Sequence, residues 1–191
     1  MKDYLKISNY LQIIFKILSI AVLVFIILLW SFVDILPTEI SGMFNFNFSY
    51  FTNNSIPGGS VNLLTMPHST VSKLIGLSGS LVGSAPYILA YYTLHKLFAN
   101  YAKGKIFISE NVSIYQRLGR ILFINGLVCI PLHDTLMMLA ATINNAPGHR
   151  MLNISFGTPS FEAILLGVVI MVIAWVMQQA NDLNHEHQLT V

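Results

Sequence analysis

A chain of 191 residues that is 54% hydrophobic and only 9% charged is not an ordinary soluble domain, in which about a quarter of the residues carry charge. Its mean hydropathy of +0.66 points instead to an integral membrane protein. A formal net charge of +2 is too small for a nucleic-acid-binding surface, and the single cysteine, Cys129, excludes an internal disulfide.

Residues 1–12 carry Lys2, Tyr4, Lys6 and Tyr10, which suit a headgroup layer. The apolar run that follows predicts a first span over 13–36. It is longer than the roughly 7–15 residues of a signal-peptide core and reaches the roughly 20 needed to cross hydrocarbon, so it reads as a retained helix. Lys16 can snorkel at one end, and Trp30 and Asp34 mark the other. A nearly uncharged loop over 37–72 comes next. Phe44 to Tyr50 alternates aromatic and polar residues, the period-2 signature of a half-buried strand. Asn53-Asn54 and Pro57-Gly58-Gly59 then break the chain, and Ser60 to Leu64 reads as a second short strand. A membrane-dipping aromatic loop is the alternative for this stretch.

The second span is expected over 73–97. Its first half holds Gly76, Gly79, Ser80, Gly83 and Ser84, and Gly79-x-x-x-Gly83 is a spacing that lets helices approach closely in lipid. Internal packing and a homo-oligomer face are both open readings of it. Pro86 then predicts a kink, because it lacks a donor and its ring clashes with the preceding turn. A charged segment over 98–120 returns the chain to the membrane. Lys103-Gly104-Lys105 reads as a basic turn. Ser109 reads as the cap of a helix in which Ile114, Leu118 and Ile121 recur at helical spacing. That helix is expected to run into a third span over 121–143, which contains Pro131 and then His133-Asp134. A second outer loop over 144–160 includes Met151 to Phe156, expected to pair with the Phe44–Tyr50 strand. A fourth span over 161–178 ends near Trp175, and a polar tail follows.

Eight cations, Lys2, Lys6, Lys16, Lys96, Lys103, Lys105, Arg117 and Arg120, fall on one side of these spans, and two, Lys73 and Arg150, on the other. The positive-inside rule therefore places both termini and the 98–120 loop in the cytoplasm. The expected fold is a single all-α membrane domain over 1–191. It is a four-helix transmembrane bundle with a small extracytoplasmic β element formed by the two outer loops.

The stretch Ala102-Lys103-Gly104-Lys105-Ile106-Phe107-Ile108-Ser109-Glu110-Asn111 resembles the K-G-x-x-F-x-x-x-N segment of the bacterial domain-of-unknown-function family 2975. Leu183, Glu186 and the terminal Leu189-Thr190-Val191 are similar to that family's C-terminal ending. His185 and His187 beside Glu186 depart from its usual acidic tail. The resemblance implies a small four-helix protein of the bacterial inner membrane. It also implies a helix-turn-helix regulator encoded nearby as a cytoplasmic partner. Lys103, Gly104, Phe107, Asn111 and, further along, Arg117 make up the cytoplasmic motif.

The candidate intramembrane polar site is His133 and Asp134, with Ser80 and Ser84 at matching depth on the second span. Ionisable groups within a span are costly, so a proton-titrating or ligand-binding role is the default hypothesis. A structural hydrogen bond locking the third span to the second is the competing reading. Gly76, Gly79, Gly83 and Pro86 are assigned to helix packing. Glu162 is an outer-interface residue able to pair with Arg150 or Lys73, and Asp34 and Glu39 lie at the same interface. No metal or cofactor is expected, since His68, His149 and His185-x-His187 make no ligand cluster, and no catalytic motif is present. The lipid bilayer is the certain partner. Two functions remain open: a sensor or interaction partner of the regulator, and a small oligomeric transporter or proton-coupled permease subunit using His133 and Asp134. An enzyme is not expected.

Overall fold

A computed structural model of the chain describes residues 2–35, 45–47, 60–62, 69–145, 152, 154 and 156–189. Helix α1 spans Lys2–Phe32. Strands β1 (Asn45–Asn47) and β2 (Ser60–Asn62) follow, then helix α2 over Thr70–Ala102. Helix α3 (Ser109–Ile124) continues through a π turn at Asn125–Cys129 into α4 (Ile130–Thr142), and α5 covers Thr158–Leu189. Among the described residues four helices are long and apolar enough to cross a membrane: Tyr4–Phe32, Thr70–Ala102, Ser109–Thr142 and Thr158–Asp182. Large apolar side chains stand exposed along them, Ile17, Phe25, Leu74, Leu89, Leu165 and Val172 among them, as lipid contact requires and water does not permit. The chain is a multi-pass membrane protein.

The four-helix part of the expectation stands, and a β element shared by the two outer loops is not supported among the described residues. Strand β1 pairs antiparallel with β2, Phe46 opposite Val61, within one loop. In the second loop Leu152, Ile154 and Phe156 belong to no strand. A three-residue ladder closed locally costs less loop entropy than one drawn from two distant loops. The rest of the Phe44–Tyr50 stretch lies outside the described residues.

The chain sorts into two compact units. One collects Val22–Ala85 and Gly126–Phe161. Its core is Ile26, Trp30, Val33, Met137, Met138, Ala140 and Ala141. Ser69 starts α2 by accepting the Ser72 amide at 3.1 Å. Ser72 itself donates to the Ala140 carbonyl at 2.6 Å. The Lys73 ammonium pairs with Asp34. Arg150 and Glu39 lie outside the described residues.

The other unit collects Met1–Ala21, Pro86–Asn125 and Glu162–Val191. Phe15 of α1 stacks on Tyr91 and Phe98 of α2, with centroids 6.1 and 5.5 Å away. His95 Nδ1 donates to the Gln12 carbonyl at 3.0 Å. Helix α5 runs antiparallel to α3 and meets it backbone to backbone. A Cβ added at Gly167 would lie 2.6 Å from the Phe123 nitrogen and 2.8 Å from the Gly119 carbonyl oxygen. Small residues at a helix crossing permit this approach, and in lipid such packing drives association.

Both interior prolines lie in continuing helix. Helix α2 runs on through Pro86. Ahead of Pro131 the helix widens into the π turn. The proline has no N–H and its ring crowds the carbonyl four residues back, so a wider turn accommodates it.

Candidate functional site

The turn between α2 and α3 is the most specifically built polar structure in the chain. Helix α2 ends at Ala102 and is closed by Gly104, whose φ of +74° lies in the left-handed region that disfavours side chains. The Lys105 amide reaches back to the Asn100 carbonyl at 3.0 Å, and the Gly104 amide to Tyr101 at 2.9 Å. This pair of bonds is a Schellman cap, and it satisfies carbonyls that a helix end leaves open. Asn111, in the first turn of α3, is fully buried at 0% exposure. Its Nδ2 donates to the carbonyls of Lys105 at 2.8 Å and Ile106 at 2.7 Å. Its Oδ1 accepts from Asn100 Nδ2 at 2.9 Å. One side chain therefore ties the end of α2, the turn and the start of α3 together. The hydroxyls of Tyr101 and Tyr115, 2.9 Å apart, add a second cross-link.

The expected cap of α3 is corrected. Ser109 is the first helical residue and Ile108 takes the capping position without a side-chain bond. The Asn111 network already fixes the entry of the chain, so a hydroxyl cap is not needed there.

What this fixed turn displays is Phe107, 79% exposed, between the exposed Lys103 and Lys105 and the helix start. Beside it lies a groove of ≈50 Å³ lined by Phe107, Ile108, Val112, Met177, Ala180 and Asn181. Among the residues whose side chains are described, the last large apolar one exposed on α5 is Val176, and Gln178 follows it. Gln116 Nε2 donates to Gln178 Oε1 at 3.1 Å, which sets the level of α5 against α3. Phe107 stands past that level, against the polar end of α5.

Hydrogen bonds engage the candidate intramembrane residues His133, Ser80 and Ser84. His133 Nδ1 donates to the Gly79 carbonyl at 2.8 Å. Ser80 instead accepts from Trp30 Nε1 at 2.9 Å, and Ser84 donates to the Leu81 carbonyl at 3.3 Å. Asp134, on the next helical position, is partly buried. The small residues of α2 face partners in the same chain. A Cβ at Gly76 would strike the Trp30 ring at 1.9 Å, one at Gly79 the Leu136 Cβ at 3.0 Å, and one at Gly83 the His133 Nδ1 at 2.6 Å. Among the described residues no group of three or more His, Cys, Asp or Glu could hold a metal ion.

A family model described as a protein of unknown function (DUF2975) matches residues 58–191. The chain belongs to the DUF2975 family. No curated protein and no solved structure matches it. The DUF2975 match takes in α2 to α5 and the whole of the Asn111-locked turn. It begins after α1, which nonetheless supplies Trp30 to the packing of α2.

Two features of this DUF2975 chain escape sequence reasoning. Asn125 opens the π turn, is 2% exposed, and its Oδ1 has no hydrogen-bond partner among the described residues. The only signal was a lone asparagine six residues before a proline in an apolar run. Gly119 and Gly167 form the α3–α5 contact, but one sits in a charged stretch and the other has only Ala163 as a small neighbour at the four-residue spacing.

Proposed function

We propose that this DUF2975 protein sits in the bacterial inner membrane with both termini and the α2–α3 turn in the cytoplasm. There it acts as the membrane-bound interaction partner of a soluble regulator. The observation that carries this reading is the exposed Phe107 on a turn held by Asn111. A bulky aromatic displayed beyond the apolar surface of α5, on a backbone with little freedom to hide it, suits contact with another protein. The excess of Lys and Arg at this end supports the cytoplasmic orientation. The nature of the partner follows from the family resemblance and the helix-turn-helix regulators encoded beside its members.

The test is a photo-reactive amino acid at position 107 in intact membranes, followed by identification of what is captured. The regulator is expected in the adduct, and Phe107→Ala is expected to change the expression of its target genes. Capture of lipid alone, with target expression unchanged, refutes the proposal.

A small transporter is the second reading, favoured by Asp134 inside a span a few residues from the π turn. It would require oligomerisation through a face other than Gly79 and Gly83, which α4 covers. Under this reading Asp134→Asn abolishes a flux while the protein still accumulates; an unchanged flux removes it.

A further inference from the structure

We propose that a cleft between the ends of α2 and α3 binds the phosphate group of an anionic phospholipid. The cleft has a volume of ≈190 Å³ and is lined by Lys96, Glu110, Ser113, Ile114 and Arg117. At about 30 Å³ per water it is far too large for a single solvent molecule.

Lys96 and Arg117 face this space, and neither has a carboxylate partner among the described residues, where the single ion pair is Lys73–Asp34. The Lys96 ammonium instead lies 4.6 Å from the centre of the Tyr92 ring, a contact that orients it without neutralising it. Two cations and the single carboxylate of Glu110 line the cleft, which leaves it one net positive charge to attract an anion. A guanidinium fork and an ammonium are the groups that recognise phosphate oxygens. The Ser113 hydroxyl, now donating weakly to the Ser109 carbonyl at 3.4 Å, can turn to a phosphate oxygen.

The depth of the cleft selects the source of the phosphate. Ser113 and Arg117 flank Gln116, which bonds Gln178, just past Val176, the last large apolar side chain exposed on α5 among the described residues. Headgroup phosphates lie at such a boundary, and basic pockets between membrane helices on the cytoplasmic side bind anionic headgroups. The charges match as well. Two cations and Glu110 sum to +1, which balances one phosphodiester better than a dianionic free phosphate. Glu110 can also accept from a headgroup hydroxyl. A glycerol headgroup therefore fits.

The experiment titrates the purified full-length protein in detergent with short-chain phosphatidylglycerol and measures saturation by native mass spectrometry. Lys96→Gln and Arg117→Gln are each expected to weaken binding by about tenfold. Lys103→Gln removes the same charge outside the cleft and is expected to bind as wild type. Inorganic phosphate and short-chain phosphatidylcholine form the other arms and are expected not to compete. Equal losses in all three variants would mean diffuse attraction and overturn the site. Wild-type binding in Lys96→Gln and Arg117→Gln would do the same. Competition by inorganic phosphate would overturn the lipid as the ligand.

Discussion

Replacing Asn111 by alanine should unfasten the α2–α3 turn while the rest of the chain holds. The side chain makes three hydrogen bonds, of 2.9, 2.8 and 2.7 Å, from a fully buried position. Losing it leaves Asn100 Nδ2 inside a buried residue without its acceptor, at a cost of about 1–3 kcal/mol. The bonds to the Lys105 and Ile106 carbonyls are only part-buried, so each lost bond there costs about 0.5–1.5 kcal/mol. The total of about 3 kcal/mol falls on local opening of the turn, which raises amide exchange by about a hundredfold. Hydrogen–deuterium exchange of the full chain in detergent reads this at the amides of Gly104 and Lys105, whose acceptors are the Tyr101 and Asn100 carbonyls. A peptide over Gly76–Gly83 serves as the unperturbed control. Asn111→Asp keeps the acceptor, loses both donors and turns a carboxylate towards two carbonyl oxygens, so it should exchange at least as fast as the alanine variant. Protection at Lys105 within about threefold of wild type in both variants would refute the claim that Asn111 holds the turn.

Other expectations follow from the packing. Gly83→Ala should lower the melting temperature through the 2.6 Å approach to His133 Nδ1, and His133→Ala should relieve much of that loss. A double-mutant cycle should show coupling of about 0.5–3 kcal/mol, and strict additivity would disprove the contact. Gly167→Ala meets backbone that cannot swing aside, so it should cost about 1–3 kcal/mol and several degrees in a thermal melt. Removing the partly exposed Lys73–Asp34 pair should cost no more than about 1 kcal/mol, and exchanging the two residues should restore the wild-type melt.

The apolar runs were legible because each helix needs its own roughly 20 residues of unbroken hydrocarbon-compatible sequence, and no tertiary context is required to see that. The basic turn was legible for the opposite reason: Lys103, Gly104 and Lys105 interrupt such a run. What Asn111 does was not, because its amide donates to backbone carbonyls, which any residue type supplies. The same holds for His133, whose bond goes to a glycine carbonyl while the serines beside it turn elsewhere. Alternation in Phe44–Tyr50 marks a strand without naming its neighbour, and among the described residues that neighbour is Ser60–Asn62. The π turn escaped because proline is readily read as a kink, whereas here the helix admits an extra residue ahead of it.

The chain's two tryptophans divide between its units. Trp30 is enclosed, at 4% exposure, with its indole hydrogen held by Ser80, and Trp175 stands open at 58% on α5. Each unit thus carries its own native fluorophore in a contrasting environment. With Trp175→Phe or Trp30→Phe, emission and quenching can follow either half during melting or lipid exchange without any attached dye.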